Sequence, residues 1–568
     1  MKRALVLALF ALAACQKGGT ARDNDPRKTY GVRIADDGEV ARVTTSPDGK
    51  YVAFLGQVER PKELGVPEGI LVGLLELVPA DGSGPARQLL GGVTNLEGSF
   101  AFSSDGAVLA AIKSFRFASH SGTLETVKVA GGEPVHLADD CSGFAFSADA
   151  KHLAWVCTSG GFLGNADGSD ARKVTDGAAT VDFSRDSTKL LVRRLASAGG
   201  DLLLVDVAGK GADRTIAKNV GDYAFSPDGA DVAFTMHSAD PRGGWELKLT
   251  STKGGDIRAL GEAVSSFRFS PDGKWLAYIG GVTPSKPFGD LFVAPSTGGA
   301  GTKVGERVEE YDFAPNSKAV AYLAKYNDNA RSGTMMLQTL PPSTPAQTLH
   351  KPVKSFVWSP EGGYLAYSVF QVKDASLDLD LLKLSDLKPG AALADGGTNW
   401  AEGSREVANG AYGYLFAGED KLIYRTECIM EGRACDLYVL PTDHAAMPGR
   451  LTGGVWRFSI SKDGSRMLIT YPRVDSETVA DLGVMNLSGY GGAVGVDHSV
   501  ELGAQFLDAH GGREAYGVID KRRRGVYVAK SPLPEPGQLP PSLEPPGFKA
   551  TYQPSTPPQQ PQKTAGAH

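Results

Sequence analysis

Short runs of alternating hydrophobic and polar residues recur along most of the chain, each interrupted by a turn cluster. Phe267 to Tyr278 shows the pattern most fully. Phe267 and Phe269 alternate with polar neighbours, as a half-buried strand requires. In Ser270-Pro271-Asp272-Gly273 the proline pre-sets a turn φ, the carboxylate can bond backbone amides across the turn, and glycine accepts the conformation that leaves it. Leu276, Ala277 and Tyr278 then return as the second strand of a hairpin.

Eleven copies of this hairpin are legible. Their turns are marked by Asp48, Asp105, Asp149, Asp186, Asp228, Asp272, Asn316, Glu361, Glu419 and Asp463, with a weaker eleventh copy near residue 509. Most steps are 37 to 46 residues, the size of one four-stranded propeller blade. Two longer steps, of 57 and 58 residues, place enlarged loops in blades one and eight. A second apolar-alternating segment follows each hairpin, as in Asp201–Asp206, Glu246–Thr250, Asp290–Ala294 and Asp436–Leu440. Each repeat therefore predicts four short strands and no helix. A lone sheet of this kind cannot bury both faces, whereas blades packed radially can.

The repeat Phe-Ser-Pro-Asp-Gly-x-x-Leu-Ala-Tyr, over roughly residues 40–530, resembles the WD40-like propeller repeat of the TolB C-terminal domain and of the prolyl-peptidase propellers. The resemblance implies an all-β propeller fold. It does not carry those families' roles. Residues 16–29 leave no space for the α/β domain that precedes the TolB propeller, and no G-x-S-x-G motif marks a hydrolase domain. Eleven blades exceed the four to eight of a usual ring. The simplest expectation is two propellers in tandem, residues 30–305 and 306–530. The last repeat stops after its third strand, Gly525 to Ala529, and Tyr30 to Ile34 can donate the fourth. That alternative gives an inserted second ring or one oversized ring.

Outside the repeats the pattern changes. Lys2 and Arg3 precede an apolar run, Ala4 to Leu12, too short to span a bilayer. Leu12-Ala13-Ala14-Cys15 resembles a bacterial lipobox. That resemblance implies a signal peptide over residues 1–14, lipidation at Cys15 (palmitate among the acyl chains) and, with Gln16 following, export to the outer membrane of a Gram-negative cell. Two or more acyl chains suffice for stable anchoring. Residues 15–29 read as a flexible tether. Residues 531–568 are proline-rich without apolar period, a disordered tail prone to polyproline II. An exported compartment permits disulfides. Cys141 and Cys157 flank one hairpin, and Cys428 and Cys435 bracket another, so two bonds are expected; neither pair has zinc-finger spacing.

Charge narrows the partners. The chain has 59 basic and 65 acidic residues. Loss of Lys2 and Arg3 leaves 57 against 65, a net charge of −8, with both signs scattered. No concentrated basic face for nucleic acid is present. The sialidase Asp-box, S-x-D-x-G-x-x-W, fails because Asp272 and Gly273 are adjacent. The nine histidines form no close-spaced pair, so no metal or other cofactor is expected. Glu306, Glu309, Glu310 and Asp312 lead into the seventh blade and can line a funnel for cations or basic peptides; a solvated loop is the alternative. Lys521 to Arg524 reads as a hairpin tip, with anionic lipid as the rival contact. The expected role is a non-enzymatic, membrane-anchored scaffold for a protein or peptide, with an enzyme acting on a periplasmic or surface glycan or peptide as the alternative.

Overall fold

The computed structural model describes residues 31–531, apart from short breaks at 36–38, 64–65, 197–198, 212, 239–243, 284, 372–375, 388–403, 430–433, 444–445, 474–478, 488–492, 502 and 521–522. The expected signal peptide, Cys15, the tether and the tail beyond Ser531 lie outside the described residues. Within them the chain is almost entirely antiparallel β-structure, with one short 3₁₀ turn at Leu384–Asp386. It is a β-propeller.

Blades are numbered here by their turn residues in chain order. Blade six is typical. Its strands Ser266–Phe269, Trp275–Gly280, Asp290–Pro295 and Thr302–Gly305 pair in sequence order. The second strand is buried from Leu276 to Gly280 and the third at Leu291, Val293 and Ala294, where neighbouring blades cover them. Three 12-residue strands serve two blades each: Val135–Phe146, Arg214–Phe225 and Gln347–Trp358 close one blade and open the next.

The cores lie between blades. Ala277 and Leu291 of blade six meet Val308 and Tyr322 of blade seven. Similar apolar clusters join every consecutive pair, including three with four and eight with nine. A further cluster joins the ends of the series: Val43, Val52 and Phe54 of blade one pack on Ala515, Val526 and Val528 of blade eleven. Strand Gly31–Ala35 completes blade eleven by pairing antiparallel with Gly525–Lys530. These contacts link blades six and seven across residue 305 and bring blade eleven against blade one. No break in packing occurs near residue 305, and blade eleven closes on blade one, not on blade seven. The described units form one closed succession.

Both cystine bonds are present, Cys141–Cys157 and Cys428–Cys435. In the first, Phe146 pairs with Leu153, and a bulge between Val156 and Cys157 brings the cysteines opposite each other. Asp140, beside the bulge, adopts φ 55°.

Candidate functional site

The turn residues come first, because their recurrence could be mistaken for a site. In blade six Ser270, fully buried, donates to Asp272 Oδ1 at 2.7 Å, and its hydroxyl accepts from the Trp275 amide at 3.0 Å. Asp272 Oδ1 also accepts from the Lys274 amide at 3.1 Å. The same Ser–Asp couple recurs at Asp48, Asp105, Asp149, Asp186, Asp228 and Asp463. The Ser103 hydroxyl and then the Ala107 amide hold Asp105 below the usual carboxylate range; at Asp272 burial opposes, and the Ser270 and Lys274 contacts prevail. These acids are therefore consumed by turn geometry. The buried serine two residues earlier is the partner that reading the acids alone passes over, although its recurrence is visible in the sequence.

Two turns depart. In blade seven Ala314 replaces the serine, and Asn316 donates from Nδ2 to Gly362 O of blade eight at 2.9 Å. In blade eight Glu361 does not fill the role that its position suggests. Glu419, from the turn of blade nine, accepts from Ser359 Oγ at 2.7 Å, from the Glu361 amide at 2.8 Å and from the Gly363 amide at 2.9 Å. Blade nine's own turn has Ala417 where the serine would stand. Other turns also touch: Ser104 Oγ donates to Ala148 O, the Asp149 amide to Ser187 Oγ, and Arg513 to Gly49 O. Since blades splay outwards, contact between equivalent turns marks the inner rim, and the first strand of each blade lines it.

Three concavities lie on that inner wall, each formed by the first strands of three blades. One, of about 450 Å³, joins blades ten, eleven and one and is lined by Ser46, Pro47, Lys462 and Phe506. A second, of about 350 Å³, joins blades seven to nine. It combines Glu310 and Asp312 with Phe356, Trp358 and Phe416. Thus two of the four acids of the expected funnel cluster line a cavity. Desolvation, followed by the like charges of Asp312 and Glu309, raises the Glu310 pKa. Arg268 of blade six pairs with Asp312.

The third concavity, about 410 Å³ across blades four to six, holds the densest chemistry. It lies along the inner strands of these blades, which lead into the Ser–Asp turns. Tyr223 donates to Asp182 Oδ2 at 2.6 Å and lies 2.5 Å from Thr180 Oγ1, which then donates to it. Arg193 donates to Gly221 O at 2.7 Å. Asp222 and Phe267 complete the wall. Asp182 keeps contact with solvent, yet surrounding protein raises its pKa; the Tyr223 bond and the Arg193 charge oppose that shift. Burial and then Asp182 raise the Tyr223 pKa. Tyr223 is also an inter-blade clamp, as Tyr414 is where it donates to Ser355 O at 2.8 Å. What distinguishes Tyr223 is that its acceptor is a solvent-facing carboxylate. Sequence reading did not single out Asp182, which lies within copy four of the repeat. Its only signal is a charge where other copies place Ala101, Ala145 or Ala224.

Among the described residues no group of three or more His, Cys, Asp or Glu side chains is placed to hold a metal ion. No family model matches the chain, and no curated protein matches it. Solved structures do. A eukaryotic initiation factor aligns with TM-score 0.39 and 13% identity, over 66% of this chain and 93% of that one. The tricorn protease aligns with TM-score 0.27 and 11% identity, over 82% of this chain and 59% of that one. An oligogalacturonate lyase in complex with manganese aligns with TM-score 0.29 and 14% identity, over 55% and 93%.

Proposed function

We propose that this protein is a lipid-anchored cell-envelope scaffold that binds an extended, basic segment of a protein or peptide along its inner wall. The observation that carries this reading is the cavity of blades four to six. It sets Asp182 and Asp222 beside Phe267 on strands fixed from both sides, and carboxylates beside an aromatic face suit a cationic side chain. Glu310 and Asp312 extend the same charge to blades seven to nine. The sequence Leu12-Ala13-Ala14-Cys15 and the two disulfides support an exported, anchored chain. Gly31 pairs with Ala529, so a tether from Cys15 joins the propeller at the end bearing the Ser–Asp turns.

Affinity capture from membranes with cross-linking tests the scaffold. A stoichiometric partner should be recovered, and an Asp182→Asn/Asp222→Asn variant should recover several-fold less of it. Failure to recover any such partner across growth conditions overturns the reading. Cys15→Ser tests the anchor separately: processing should stop and the protein should leave the membrane fraction. A second reading, an enzyme acting on a glycan or peptide, is favoured by one observation: the raised pKa of Asp182 beside the Tyr223 hydroxyl, which suits a proton donor. Turnover of an envelope polymer that is abolished by Asp182→Asn would support it; turnover left intact would remove it.

A further inference from the structure

Two fully buried carboxylates, Asp380 and Glu514, belong neither to the cavities nor to the turns. Glu514, in blade eleven, is answered by the charge of Arg466 from blade ten. Asp380 has no such answer. It lies on the third strand of blade eight, Leu377–Lys383; neither of its oxygens meets full hydrogen-bond geometry, although the Tyr367 hydroxyl lies near enough to favour its charged form. Its partners in register are Tyr367 on one side and Glu406 on the other. Side chains directly opposite on antiparallel strands have Cβ atoms about 4.5–5.5 Å apart, so Asp380 and Glu406 stand side by side on one face of the two strands.

The surroundings narrow what can occupy it. Asp378, two residues along the same strand face, is already satisfied: Gln371 Nε2 donates to Oδ2 at 2.6 Å, and the Asn409 amide, oriented to donate, spans Asp378 Oδ1 at 3.1 Å and Glu406 Oε1 at 2.6 Å. Tyr367 and Ser404 hydroxyls are paired at 2.6 Å. From blade seven, His350 packs its ring 6.4 Å from that of Tyr367, and burial lowers its pKa, keeping it neutral. Burial first, then the negative charges of Glu406 and Asp378, push the Asp380 pKa up to about 8, against the Tyr367 hydroxyl, which lowers it. Burial and then Asp378 raise Glu406 as well. A single proton would neutralise only one of the two facing carboxylates, and each buried polar atom left without a partner costs roughly 1–3 kcal/mol.

We propose that Asp380 and Glu406, with the hydroxyl oxygens of Tyr367 and Ser404 beside them, form a binding site for a divalent hard cation such as Ca²⁺. Two opposed carboxylates match one divalent charge, and an all-oxygen donor set suits a hard ion. Glu406 is exposed, which gives the ion a route from solvent to the buried carboxylate. The site has two acidic ligands and stands apart from the inner-wall cavities. Its effect is to lock the third and fourth strands of blade eight together.

The test uses the full chain freed of metal by EDTA and dialysis. Thermal unfolding at pH 7.5 is followed with and without 10 mM CaCl₂, and Tb³⁺ luminescence is excited through the tyrosines. Ca²⁺ should raise the wild-type midpoint by about 2 °C and compete away the sensitised emission. Both responses should fall several-fold in Asp380→Asn and in Glu406→Gln. Asp380→Asn removes a buried charge, so the variant is expected to fold, and far-ultraviolet circular dichroism checks that it does. Equal Ca²⁺ shifts in the wild type and both variants overturn the site. So does the lack of any shift or sensitised emission in the wild type, an outcome that leaves Asp380 as a buried proton carrier.

Discussion

At the scale of single residues, the turn acid shows how position and role can separate. Glu361 stands where the repeat places its acid, but the carboxylate bonding that turn comes from Glu419, 58 residues on. Glu419→Ala should therefore destabilise the protein by about 1–3 kcal/mol in urea unfolding, while Glu361→Ala should change it by less than about 0.5 kcal/mol. Buried and turn acids also set opposite pH dependences. Turn acids such as Asp105 have lowered pKa values, so their contribution is present above the unfolded carboxylate range and is lost as pH falls through the folded value. Asp380 and Glu514 are each pushed up to about 8, so the folded state binds the extra proton and stability falls as pH rises from about 4 to about 8. Metal-free protein should accordingly lose stability between pH 5 and pH 8, and Asp380→Asn should flatten that slope. Chemical denaturation across pH measures both. None of this was legible in the sequence, because Asp380 reads as an ordinary alternating polar residue until its neighbours are known.

At the scale of elements, the hairpins were legible and their registers were not. The repeat predicts the strands on either side of Phe146 and His152, but only the structure shows the bulge that aligns Cys141 with Cys157. A 16-residue separation corresponds to roughly 3 kcal/mol of loop-closure stabilisation. The Cys141→Ala/Cys157→Ala pair should lower unfolding stability by a comparable amount, and more than removal of Cys428–Cys435, whose separation is 7. The closing strand is a second case. A Cβ on Gly31 would come within 1.9 Å of the Tyr516 hydroxyl, which donates to Asp497 at 3.0 Å. Gly31→Val should push this strand off blade eleven. Hydrogen exchange would then show lost amide protection in Gly525–Lys530, with blade six unaffected.

At the scale of the whole molecule, the sequence left ring division open. Its period of 37 to 46 residues counts repeats but contains no term for which repeat meets which. Blade faces are nearly equivalent, so any copy can in principle pack against any other, and the usual ring size favoured two propellers. Phe54 and Val528, positions 474 residues apart, belong to one apolar cluster. Deleting residues 31–35 removes the strand that pairs with Gly525–Lys530. Small-angle scattering should then report a larger, less uniform particle than the intact chain.

The sequence by itself determined the fold class, the hairpin turns and the pairing of the cysteines. All of these follow from local alternation, turn chemistry and spacing, which act over a few residues. The tertiary structure decided the closure of blade eleven on blade one, the loan of Glu419 to another blade's turn, the inner-wall cavity around Asp182 and the isolation of Asp380. Each of these depends on which residues distant in the chain come to share a small volume. Burial, charge repulsion and hydrogen-bond satisfaction are properties of that volume, not of the string of residues that enters it.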